Sequence, residues 1–124
     1  MARAPAILSA STLGGDKIVG PEGHDLGTLK DLMIDTTHSE VAYAVMSRGG
    51  VAGLGEKLFA VPWALLTVDG DNKQLVLNVD PEVLDNSPGF DSDNWPQFND
   101  AEWGRSVYDH FGVDPYWNQD PPLT

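Results

Sequence analysis

Two apolar runs, Val41-Ala42-Tyr43-Ala44-Val45-Met46 and Leu58-Phe59-Ala60-Val61, flank a stretch with four glycines in the seven residues 49–55. Each run is apolar at odd and even positions alike, the pattern of a strand covered on both faces. Pro62 closes the second, because proline lacks the N–H donor that the interior of a ladder needs. Between the runs, Gly50 and Gly55 have the spacing of the outer glycines in a phosphate-binding loop, but Glu56 stands where such a loop needs lysine. A carboxylate there repels phosphate. The residues that follow are β-branched and aromatic and end in proline, whereas an anion would need a helix whose N-terminal amides point at it. The stretch therefore reads as a bend between two strands. From 49 to 55 it has no polar side chain. A tip bearing Val51 and Leu54 is expected either to pack on the C-terminal tail or to meet another chain, and these two residues are the candidates for a self-association interface.

Further short strands surround this pair. Lys17-Ile18-Val19 is a β-like run closed by the turn Gly20-Pro21-Glu22-Gly23, preceded by a single helical turn that Ser9 or Ser11 could cap and Gly14-Gly15 would stop. In residues 25–37 the apolar positions Leu26, Leu29, Leu32 and Ile34 change phase between Leu29 and Leu32, which a bulge near Lys30-Asp31 would restore. The spacing 26, 29, 33 also suits a helix, but Thr36, Thr37, Gly23 and Gly27 favour a strand. Residues 67–79 read as a hairpin turning at Asp69-Gly70-Asp71-Asn72, with Leu75, Leu77 and Val79 on one face. Five or six short strands with turn signals every ten residues or so predict a small β-barrel or sandwich.

The remainder differs in composition. Residues 1–79 hold nine acidic side chains against six basic ones, whereas 80–124 hold ten against Arg105 alone, and eight of the eleven aromatic residues lie in that acidic third. So many aromatics must pack on something. Glu82 to Asn86 suits one helical turn, residues 87–98 look irregular, and a helix is predicted over about 99–111. Asn99 is its expected N-cap, Glu102 follows three residues on, and Gly112 stops it. Trp103, Val107 and Phe111 form a stripe at i, i+4, i+8. Together with Trp95, Phe98 and Trp117 they are the residues expected to dock this tail.

Little in the chain points to catalysis. There is no cysteine, so disulfides, thiolate metal sites and cysteine nucleophiles are excluded, and the absence fits a reducing cytoplasm. His24, His38 and His110 lack the i, i+2 or i, i+4 pairing that helps to build a zinc site. His24 and His38 read as turn residues, and His110 as a solvent-facing helix position. Asp91, Asp93, Asn99 and Glu102 fall at positions one, three, nine and twelve of a calcium loop, but Pro96 occupies the sixth, where the sharp turn needs glycine. A net charge of -12 repels nucleic acid and anionic lipid, and no apolar run approaches the ~20 residues of a membrane-spanning helix.

Residues 7–47, with Gly-Asp-Lys-Ile-Val-Gly-Pro-Glu-Gly-His-Asp-Leu-Gly at 15–27, Leu-Lys-Asp-Leu-Met-Ile-Asp at 29–35 and Phe-Ala-Val-Pro-Trp at 59–63, resemble a PRC-barrel domain. That module is shared by the photosynthetic reaction-centre H subunit and a ribosome maturation factor, RimM. The resemblance covers roughly residues 6–80 and is strongest to stand-alone bacterial members, since neither the transmembrane helix of the first protein nor the extra N-terminal domain of the second is expected here. It implies a small six-stranded barrel, no shared catalytic residues, and roles in protein contacts and assembly. The expected fold is thus mainly β: a PRC-type β-barrel of about six short strands over residues 6–86, with an acidic extension, 87–124, packed on it. The expected function is a non-enzymatic protein-interaction or assembly module that self-associates. No catalytic residue, cofactor or metal is assigned, nor nucleic-acid binding or membrane insertion. A calcium-binding module using residues 91–102 and a small histidine/carboxylate enzyme are the alternatives.

Overall fold

A computed structural model describes residues 4–48 and 57–119; Val51 and Leu54 lie outside the described residues. In chain order the elements are α1 (Ala10–Leu13), β1 (Lys17–Val19), β2 (Asp25–Asp35), β3 (Glu40–Arg48), β4 (Lys57–Pro62), a 3-10 turn (Trp63–Leu65), β5 (Leu66–Asp69), β6 (Gln74–Leu77), α2 (Pro81–Asp85), β7 (Phe90–Asp91), α3 (Ala101–Phe111) and a second 3-10 turn (Tyr116–Gln119). The strands form one sheet in the order β5-β6-β1-β2-β3-β4-β7. Neighbouring strands are antiparallel except β1 and β6, which run parallel. The protein is mainly β, as its short apolar runs separated by turn signals predict. Arg48 pairs with Lys57 across β3 and β4, so residues 49–56 connect antiparallel neighbours, and the segment after them is a strand rather than a helix.

β2 bends twice. Its pairing with β3 skips Lys30, between Leu29↔Met46 and Asp31↔Val45, which accounts for the change of phase in the sequence. The second irregularity has no such signal. Met33 pairs with Tyr43 and Ile34 with Val41, leaving Ala42 as the extra residue on β3. Beyond this bulge Ile34 lies 58% exposed, although β2 buries Leu26 and Leu29.

The core gathers Ile18, Leu29, Ala44, Met46, Val61, Leu75 and Leu77, each 0–1% exposed, with Leu84 of α2. β3 is buried from Ala42 to Met46 because something covers each of its faces. On one side is the interior of the sheet; on the other lies the C-terminal extension, whose Val107, Tyr108 and Phe111 join the same core. α3 begins one residue later than its expected N-cap implies. Its N-cap is Asp100, not Asn99: the Asp100 carboxylate accepts from the Glu102 N–H at 2.9 Å, satisfying one of the four orphan donors of the first turn. Gly112 ends the helix in the left-handed region, at φ 73°. The buried face is wider than the predicted stripe: Gly104 and Tyr108 join Val107 and Phe111, and Trp103 is half-buried against the same core. Residues 90–91, expected to be irregular, instead form β7 against Leu58 and Lys57.

Candidate functional site

Where the β2–β3 turn faces the start of α3 and the tail, the surface opens into a cleft of about 630 Å³. The sheet contributes Met33 to His38, Ala42 and Tyr43; the extension contributes Phe98 to Ala101, Gly104, Tyr116 and Trp117. A smaller hollow of about 80 Å³, lined by Ala60, Phe90, Trp103, Val107 and Phe111 among others, is a packing gap under α3.

Asp35 organises the cleft wall. It ends β2, and its Oδ1 accepts the backbone N–H groups of Thr37 at 3.0 Å and His38 at 3.1 Å, the geometry of an aspartate closing its own turn. Oδ2 faces His38 Nδ1 at 2.8 Å and accepts the hydroxyl of Tyr116, which arrives from 81 residues away. Tyr116 also sets its ring edge-on to His38, with centroids 5.6 Å apart. One carboxylate thus ties the β2–β3 turn to the tail. Burial acts to raise the Asp35 carboxyl, but the hydrogen bonds from Tyr116 and His38 outweigh it and hold the group below its ordinary value of 3.8. Tyr116 moves the other way: burial first, then donation to that carboxylate, push its phenol far above 10. Neither partner is near neutrality.

The wall behind is aromatic. Tyr43 makes ring contacts with Phe98, Trp103 and Tyr108 at centroid distances of 5.4–5.6 Å, and Trp117 packs on Tyr108 at 5.1 Å. Tilted and edge-on pairs of this kind add to simple area burial. Tyr108 donates to the Ala42 carbonyl at 2.7 Å. Ala42 is the bulge residue without a partner in the β2–β3 register, so the extension supplies the hydrogen bond for this buried carbonyl. The Trp117 indole N–H is buried and has no acceptor among the described residues. Gly104 lets the helix approach: a Cβ there would lie 2.5 Å from the Tyr43 hydroxyl and 3.2 Å from the Trp117 ring.

The residues singled out in the tail have unequal positions. Val107 and Phe111 are buried, Phe98 and Trp103 stack on Tyr43 and on each other, and Trp117 closes the cleft. Trp95 is 37% exposed; it packs on Phe90 and Phe98 within the extension, and its indole donates to the Ser92 carbonyl. The histidines have three separate surroundings. His24 sits against Gly20 in its turn, His38 against Asp35, and His110 has Nε2 2.8 Å from the Val83 carbonyl on α2 rather than a purely solvent contact. Among the described residues no three acidic or histidine side chains gather as a metal site. Of the four calcium-loop positions, Asp91 lies in β7 and Glu102 in the first turn of α3.

With the sheet order and both β2–β3 bulges established, the sequence comparison decides the family. The family model of the PRC-barrel domain matches residues 6–84. The chain belongs to the PRC-barrel family. No curated protein matches it. The match ends at Leu84, within α2, so the cleft of this PRC-barrel protein lies at the junction between the family domain and its own extension. No helix among the described residues is long and apolar enough to cross a membrane.

The three tyrosines yield a test of the docked tail. Tyr43 is raised to about 12 by burial and then by the Asp35 charge; Tyr108 and Tyr116 lie higher still. A tyrosine whose folded pKa exceeds its unfolded value stabilises the fold fully below pH 10 and loses that contribution as pH rises through the folded pKa. These are all the tyrosines in the chain. Tyrosinate absorbance is therefore expected to stay silent at pH 10 and to emerge at higher pH together with loss of the near-ultraviolet circular dichroism. Separate ionisation of one tyrosine near pH 10 with the fold intact would mean that its ring is not packed as described.

Proposed function

We propose that this PRC-barrel protein is a non-catalytic protein-interaction module whose partner surface is the cleft between the family domain and the extension. The observation that carries this reading is Ile34, turned outward beyond the Ala42 bulge to 58% exposure at the rim of the cleft. A rim of this kind joins an apolar contact to a concave wall of mixed aromatic and polar character, the composition that protein interfaces favour. The acid–base groups present support binding over catalysis. Asp35 has its lone pairs occupied by four hydrogen bonds, and both it and Tyr116 are held away from the pH range in which a general acid or base exchanges protons readily. Self-association through Val51 and Leu54 is the second part of the proposal and rests on the apolar character of residues 49–55 alone.

One experiment addresses both parts. A photo-crosslinking amino acid is placed in the full-length protein at position 34, at position 51, and at Glu82 as an exposed control outside the cleft, and irradiated in the native host. Position 34 is expected to give a discrete adduct with another protein, position 51 an adduct of twice the chain mass, and Glu82 neither. No adduct at 34 would overturn the cleft as the partner surface; no doubled mass at 51 would remove self-association by that loop.

A further inference from the structure

Resting on that reading, we infer that the cleft receives an arginine-bearing extended segment of the partner protein. Charge is the first reason. The lining includes the carboxylates of Asp35 and Asp100 and no lysine or arginine, on a chain of net charge -12. An acidic segment would meet repulsion at this wall. Availability of acceptors is the second. Asp35 is fully hydrogen-bonded and supplies field rather than a new contact. Asp100 uses one carboxylate oxygen, Oδ1, to cap α3, and its exposed Oδ2 takes no hydrogen bond among the described residues.

The third reason is shape. Tyr116 and Trp117, both half-buried, contribute π-surface to the lining that also holds these carboxylates. A planar guanidinium suits that pairing, because it stacks on an aromatic face while donating in-plane to a carboxylate. The exposed Ile34 at the rim then meets an apolar residue next to the arginine. The occupant is therefore a segment with arginine beside an aliphatic side chain.

The test uses the full chain and two synthetic peptides, one carrying two arginines around a leucine and the other glutamates in place of those arginines, with binding followed by tryptophan fluorescence and calorimetry. The arginine peptide is expected to bind at least about tenfold more tightly than its glutamate twin, and to weaken as salt is raised. Asp100→Asn retains a competent N-cap and is expected to fold normally while weakening the arginine peptide about tenfold. Ile34→Ser should weaken the arginine peptide as well. Equal binding of the two peptides, binding of neither, or no effect of Asp100→Asn would overturn the inference. If an adduct still forms from position 34 in the host, the interaction reading survives and only the arginine occupant is lost.

Discussion

Truncation after Asn86 is expected to leave a chain that is insoluble, or less stable than the full protein by several kcal/mol in chemical denaturation. The segment removed is not an accessory to a finished barrel. It carries Val107, Tyr108 and Phe111, all buried in the common core, and β7, which pairs with the start of β4. Burying one such side chain contributes roughly 1.5–3 kcal/mol, and a domain of this kind has only about 5–15 kcal/mol in total. The cut would also bare one face of Ala42 to Met46 on β3 and leave the Ala42 carbonyl without the Tyr108 hydroxyl. Tyr108→Phe isolates that last effect and should cost about 1–3 kcal/mol, the penalty of a buried carbonyl left unsatisfied. An unchanged melting temperature after truncation would show that the barrel closes its core without the tail.

How far these features could be foreseen depends on the distance over which they are encoded. The Lys30 bulge was legible because Leu29 and Leu32 break a period of two within a few residues. The Ala42 bulge was not: Val41 to Met46 is apolar throughout, so a shift of phase leaves no mark. α3 announced itself by Trp103, Val107, Phe111 and Gly112, yet Tyr108, whose partner is 66 residues away, belongs to no local pattern. The N-cap moved from Asn99 to Asp100 because both side chains can cap, and the sequence alone does not say which one the incoming chain aligns. The cleft shows the same division. His38 is legible as a turn residue, but its pairing with Asp35 is not, and Tyr116 reaches both only because the tail crosses back over the sheet. Until that crossing is known, Asp35 is one carboxylate among nineteen.

Gly27→Ala is expected to be the most damaging single substitution of a small residue, costing at least about 3 kcal/mol through overpacking that neither strand can relieve. Gly27 lies opposite Ile18, next to the irregular step between Ile18 and Val19, with φ at 155°. A Cβ at this position would sit 2.1 Å from the backbone oxygen of Ser47 and 3.0 Å from the end of the Met46 side chain. Methionine can turn aside; the carbonyl of β3 cannot move without parting β2 from β3, the pairing that carries both bulges and presents Ile34 and Asp35 to the cleft. Gly23→Ala provides the contrast. Its φ of 92° also disfavours a side chain, but nothing lies within 4 Å of the added carbon, so only the backbone penalty of about 1–2 kcal/mol applies. Urea denaturation of the two variants should therefore separate steric exclusion from backbone strain. Equal losses would mean that β2 and β3 are farther apart at Ser47 than their register places them, and the geometry of the cleft wall would have to be redrawn with them.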